Sequence, residues 1–401
     1  MRMYQIGSHL IGADSPKLGH ALQQARSVKL RPSCLCQVSG VPMYIAHAGE
    51  HLVLKRMPNS GKDHAPDCDS FEPPPELSGL GQVMGSAIRE DPDAGLTTLK
   101  LDFSLTKAPG RAAPVPGEGS AGSVAADATK LTLRSLLHYL WEDAGFNRWT
   151  PAMQGRRTWF TIRKYLLDAA QGKVTKRGNL ADVLFVPEVF SAEHKTDIAS
   201  RRQALLARAT VAAKAGQRSL MIVIAEVKEI GPSRYGHKMV FKHVPDCPFM
   251  VAPDMFTRLA KRFELELSLW DALEDTHLVA VGTFSVAGGG IATLEEVALM
   301  PTTVNWIPFE SNYDKSLIEA MTLAGRRYVK GLRYNLPPSS PLASIVASDT
   351  APAPTAMYIE PPDSSAQYQQ ALAALIEGSP TAHWVWHIST GAMPKLPDAL
   401  L

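Results

Sequence analysis

Residues 34–68 read CLCQVSGVPMYIAHAGEHLVLKRMPNSGKDHAPDC, and this stretch decides how the N-terminal part of the chain is built. Cys34 and Cys36 stand at one end, His64 and Cys68 at the other. Between them two β-prone runs flank Ala48, Gly49 and Glu50, the pattern of a hairpin. Structural zinc takes four Cys and His donors in a tetrahedron. Thiolates one residue apart lie on the same side of an extended chain, and donors four apart converge on one turn of helix. The hairpin would then fold the two pairs across one metal. The expected ligands of a structural Zn2+ are therefore Cys34, Cys36, His64 and Cys68. His47 and His51, in the hairpin, are alternative donors to His64. A closed set of four leaves no position for water, so such a metal holds the fold and does not catalyse. The plainer reading is a group of buried thiols beside an incidental histidine.

Three of the four cysteines fall within 35 residues beside a histidine, which in a reducing compartment points to metal chemistry and away from disulfides. Cys247 stands apart. At 401 residues, with 45% hydrophobic and 20% charged side chains, the chain is globular and long enough for two to four domains. The sequence has no run of eighteen apolar residues and no secretory pattern at its start, so the expectation is a cytoplasmic protein without membrane contact.

Outward from the cysteine segment, residues 104–127 are rich in Pro, Gly, Ala and Ser and read as a linker after a zinc-binding β-hairpin domain over 1–103. Residues 128–217 follow as a basic helical region. Leu133, Leu136, Leu137, Leu140 and Trp141 recur at helical spacing before Gly145. A second helix is expected over 156–170 and a third over 192–215, with strand character in LADVLFVPEVF between them. This arrangement resembles a winged helix. Residues 218–302 carry short β-like runs, among them LMIVIAEV, ELELSLW and HLVAVGTFSV, and read as a β-rich domain. Residues 303–401 follow in the order α-β-β-α-β, a three-layer α/β module. The fold class expected is α+β and multidomain.

The net charge of +2 conceals an asymmetry. Residues 130–218 hold sixteen Lys and Arg against seven Asp and Glu, a surplus of nine positive charges that the rest of the chain nearly cancels. An anionic partner, DNA in the usual case, fits such a segment, and so does an ordinary solvated helix face. Arg156, Arg157, Arg163, Lys164, Lys176 and Arg177 are the candidate phosphate contacts. Tyr235, His237, Lys238, Lys242 and His243 alternate rings and charges in a way that suits stacking on bases or simply an exposed strand.

The run from Cys34 to Gly81, with LTLRSLLHYLWEDAGFNRWTP at 131–151 and WIPFESNYDKSL at 306–317, resembles the family catalogued as domain of unknown function 1173. That resemblance implies a setting on bacterial plasmids and integrative conjugative elements, and it makes the cysteine cluster a family feature. The C-terminal module also resembles the restriction-endonuclease-like fold, whose carboxylates hold Mg2+. Glu310, Asp314, Asp349 and Glu360 are the candidates if the chain is a metal-dependent DNA nuclease. However, Leu342 and Met357 stand where that pattern calls for further carboxylates. Glu226-Val227-Lys228 has the local form of a nuclease motif, or of a strand running into solvent. The function expected is a zinc-containing, nucleic-acid-binding accessory protein of a mobile element, binding rather than catalysing. The alternatives are the nuclease and a scaffold for other conjugation or maintenance proteins.

Overall fold

Residues 221–227, MIVIAEV, are all buried. A run buried at every position belongs to a strand covered on both faces, unlike the alternation of a half-exposed one. It opens the thirteen-residue strand Met221–Ser233 in a computed structural model that describes residues 2–49, 51–107, 127–210, 218–287 and 290–400. Its second half pairs antiparallel with Gly236–Phe241, which pairs in turn with Phe249–Val251. Phe249–Val251 lies parallel to Ala292–Thr303, which pairs antiparallel along its length with Thr276–Val286. Thr276–Val286 returns to the first half of Met221–Ser233, so five strands close into a barrel without a free edge.

The helix Leu133–Asp143 packs against two barrel strands through the stripe that its periodicity marks, with Leu133, Leu136, Leu137, Leu140 and Trp141 buried. Thr132 caps it, and Gly145 ends it in the left-handed region at φ +75°. Trp159–Ala170 is the second helix, capped by Thr158 and burying Trp159, Ile162 and Leu166. The third is Lys195–Thr210. One apolar core joins these elements to Leu80 and Val83 upstream and to Leu332 and Tyr334 downstream.

The protein is thus a mixed α/β structure with ten α-helices among the described residues and a closed five-stranded barrel at its centre. This corrects the expected string of modules. The basic region is not a winged helix, because its short strands do not form a wing. Lys173–Thr175 runs parallel to Leu96–Leu99, Leu184–Phe185 joins Met221–Ser233, and Arg148–Trp149 joins the C-terminal sheet. ELELSLW is not a strand: its alternation lies on the helix Glu264–Ala272, where Leu269 alone is fully buried.

The C-terminal sheet runs in the order Ala382–His387, Thr355–Glu360, Ile345–Ala347, Tyr328–Lys330 and Arg148–Trp149. The helices Asn312–Leu323 and Ala366–Glu377 flank it in sequence as expected, with one further strand at Tyr328–Lys330. It is not a restriction-endonuclease-like module: the sheet takes an edge strand from residues 148–149, and its carboxylates are separated, as described below.

At the N-terminus, His9–Gly12, Met3–Ile6, Ser33–Cys34, Val41–Ala48 and His51–Arg56 form a five-stranded sheet in that order. The hairpin is present, with Met43 opposite Arg56 and Ala48 opposite His51. Glu50 of the expected hairpin turn, residues 108–126 of the expected linker and residues 211–215 of the expected third helix lie outside the described residues. No helix among the described residues is long and apolar enough to cross a membrane.

Candidate metal centre

Cys34 ends a two-residue strand held between Tyr4 and Val41, and Cys36 follows in the turn beyond it. The hairpin returns the chain to Gly61–Asp63, a single 3-10 turn, after which His64 is extended. Cys68 closes the next turn, its amide donating to Ala65 O at 2.8 Å. The second donor pair therefore converges through a turn, where the spacing had suggested a helix.

The four donor atoms all lie within 4.8 Å of one another. Cys34 Sγ is 3.8 Å from Cys68 Sγ, and His64 Nδ1 is 3.3 Å from Cys36 Sγ and 3.8 Å from Cys68 Sγ. Around a tetrahedral ion with metal–sulfur bonds of about 2.3 Å and a metal–nitrogen bond of about 2.0 Å, neighbouring donors sit roughly 3.5 to 3.8 Å apart. The cluster could hold a metal ion, and its spacing is compatible with zinc. The thiols are free, with Cys34 and Cys68 buried and Cys36 half-buried. Burial pushes the Cys34 thiol up to about 12, the Cys36 backbone amide opposing the shift and the Cys68 and Cys36 side chains adding to it. A cation among the sulfurs reverses that balance and favours thiolates. Backbone amides already point at two of them, Ala65 N to Cys36 Sγ at 3.5 Å and Ser70 N to Cys68 Sγ at 3.4 Å. His47 and His51 are exposed on the hairpin, outside the cluster.

A family model described as a protein of unknown function, DUF1173, matches residues 4–389. The chain belongs to the DUF1173 family. No curated protein and no solved structure matches it.

In this DUF1173 protein the carboxylates considered for Mg2+ do not meet. Glu310 pairs with Arg333 at 2.7 Å, Asp349 with Arg326 at 2.8 Å, and Glu360 with His387 and Ser364. Asp314 is buried against Lys330 at 3.3 Å and accepts from Ser344 Oγ and the Glu310 amide. Burial would raise the Glu310 carboxyl, but Arg333, Lys330 and Arg134 outweigh it and hold it down to about 2. Each of these acids is occupied by its own partner.

The candidate phosphate contacts divide in two. Arg157 turns inward, donating to the carbonyls of Phe146 at 2.9 Å, Asn305 at 3.2 Å, Gly145 at 3.3 Å and Arg148. Burial among these neutral acceptors lowers its pKa to about 10. Arg163 is half-buried, its Nε donating to Val186 O at 3.1 Å. Arg156, Lys164, Lys176 and Arg177 are exposed. Much of the surrounding charge is spent internally, as Lys173 on Asp143, Arg201 on Glu188 and Arg202 on Asp246. Phe160 is 67% exposed on the Trp159–Ala170 helix, and Lys164 Nζ lies 5.3 Å over the half-exposed Tyr165 ring.

The second aromatic set is dispersed. Tyr235 is exposed, His237 stacks on Phe256, and Lys238 faces Glu229. Lys242 and His243 instead face Glu226, which is buried, and His277 joins them from Thr276–Val286. Sequence reasoning had singled out Glu226 without finding these partners.

Proposed function

We propose that this protein binds single-stranded DNA along the outer face of the Trp159–Ala170 helix, and that the Cys3His cluster holds a structural zinc. The observation that carries the DNA reading is the pairing of cations with exposed rings on that face. Phe160 and Lys164, four residues apart, are neighbours on the solvent side, with Tyr165 beside them and Arg156 just before the helix. Lys176 and Arg177 follow its other end, about 18 Å along the axis. Rings offer stacking to any base and cations take phosphates, so such a face suits strand binding with little sequence preference. A mobile-element setting is part of the proposal only through the family resemblance.

Fluorescence anisotropy with a labelled oligonucleotide across a salt series tests it. Each phosphate contact on a single strand contributes about 0.7 to the slope of log affinity against log salt. Replacing Arg156, Lys164, Lys176 and Arg177 by Ala together should flatten the slope by up to about 3, and Phe160→Ala should weaken binding by about 1–3 kcal/mol. Affinity that ignores salt, or that survives all five substitutions, is incompatible with this face as the binding surface.

A further inference from the structure

Glu226 has no part in that reading. A carboxylate with its side chain 5% exposed is tolerated only when hydrogen-bonded and paired. Three side chains from outside its own strand do this: Lys242 Nζ at 2.9 Å and His277 Nδ1 at 2.7 Å from Oε1, and His243 Nε2 at 3.7 Å from Oε2. Burial raises the Glu226 carboxyl, but His243, His277 and Lys242 around it outweigh that effect and keep the group well below the usual carboxylate range.

The two histidines are not equivalent. Phe190 N donates to His243 Nδ1 at 3.4 Å, so His243 Nε2 carries the proton and faces Glu226, and both ring nitrogens are used. His277 turns Nδ1 to Glu226, and its Nε2 has no hydrogen-bond partner among the described residues. Its ring lies flat on Trp306, centroids 3.9 Å apart and planes 8° from parallel, which fixes its orientation. The His277 side chain is 21% exposed and that of Lys242 52%, so solvent reaches both. A carboxylate at one imidazole nitrogen selects the tautomer that leaves a lone pair on the other, the arrangement of an oriented general base. Trp159 stacks on His243 at 5.2 Å, so the first turn of the Trp159–Ala170 helix packs against this cluster.

We propose that His277 is the general base, and Glu226 its positioning residue, in a metal-independent hydrolysis of phosphodiesters, with Lys242 as both the phosphate contact and the proton donor to the leaving oxygen. Water oxygen attacks phosphorus while His277 Nε2 takes a water proton. The bond from phosphorus to the leaving oxygen breaks, and Lys242 gives that oxygen a proton, regained from His277 through solvent. The products are a phosphomonoester and an alcohol, and no oxidant, reductant or metal enters. The choice of a nucleic-acid strand as substrate rests on the proposed function, whereas the dyad itself rests on the geometry around Glu226.

The test uses the full chain, without added divalent metal, on bis(para-nitrophenyl) phosphate and on an end-labelled oligonucleotide, with strand binding measured in parallel. His277→Gln and Glu226→Gln should each lower kcat at least about 100-fold, and His277→Gln should also remove the limb of the pH profile that rises with loss of the imidazole proton. Lys242→Ala, which removes both the phosphate contact and the proton donor, should raise KM and lower kcat. Thermal melting of each variant shows that it is folded. No nitrophenolate release by folded wild-type protein, or release that His277→Gln leaves unchanged, overturns the dyad. Hydrolysis of the small diester without strand binding supports the dyad and overturns the DNA reading. Strand binding without hydrolysis of either substrate overturns the dyad alone.

Discussion

Cys68 carries more than its share of the metal centre, because it approaches both Cys34 Sγ and His64 Nδ1 at 3.8 Å and also accepts from the Ser70 amide. Cys68→Ser exchanges a thiol donor for a hydroxyl that stays protonated at neutral pH, and it should leave the purified protein with almost no zinc where the proposed site predicts one per wild-type chain. Because the cluster joins the first strands to the residues after the hairpin, loss of a metal held there should also make the variant melt several degrees lower, and Cys247→Ser should change neither quantity. Inductively coupled plasma mass spectrometry and a melting curve measure both. Wild-type protein without metal, whose melting point ignores added zinc, would remove the site. The gathering of these four residues was legible in the sequence because residue type and spacing carry the chemistry locally. The partners of Glu226 were not, since His243 and His277 reach it only through the pairing of distant strands.

At the scale of elements, the helix Asn312–Leu323 shows how an apparent catalytic carboxylate becomes structural. Ser311 caps the helix by accepting from the Asp314 amide, and the Asp314 side chain turns back to the Glu310 amide and across to Lys330, whose side chain is 2% exposed. Asp314→Ala strands a buried ammonium, so it should destabilise the protein by about 3–5 kcal/mol, whereas Asp314→Leu with Lys330→Met removes both charges and should be close to neutral. Chemical denaturation of the three proteins measures the difference, and an Asp314→Ala variant as stable as the wild type would return Asp314 to the list of functional acids. The helices Leu133–Asp143 and Trp159–Ala170 could be read because their apolar stripes are periodic and their Thr caps precede them directly. Glu264–Ala272 could not, because Glu-Leu-Glu-Leu has the period of a strand and its place after Pro253–Arg262 is set by packing on the barrel.

On the scale of the whole molecule, the closure of the barrel was the least legible feature. It depends on the three-residue strand Phe249–Val251 lying parallel to Ala292–Thr303, a pairing too short and too non-local for any periodicity to announce. The same is true of the seam that joins the N-terminal region to the C-terminal sheet. Gly79 donates to Leu332 O at 2.9 Å, Leu77 O accepts from Ala343 N at 2.8 Å, and Tyr334 binds the Leu133–Asp143 helix through His138 and Glu142. The backbone torsions of Gly79 are ordinary, so what requires glycine is space: a Cβ there would lie 1.9 Å from Arg333 O and 2.9 Å from Tyr334 Cβ. Gly79→Ala must push the two backbones apart and disturb the hydrogen bonds on either side, at a cost of about 3 kcal/mol or more. Gly19→Ala, at an exposed position of the helix Leu18–Ser27 with nothing within 4 Å of the added methyl, should instead stabilise by up to about 1 kcal/mol. If regions on both sides of the seam fold as one unit, Gly79→Ala lowers a single melting transition without splitting it. Two separated transitions would mean that the N-terminal part with the cysteine cluster folds independently of the barrel. An unchanged melting point would mean that the contact at Gly79 is not under load.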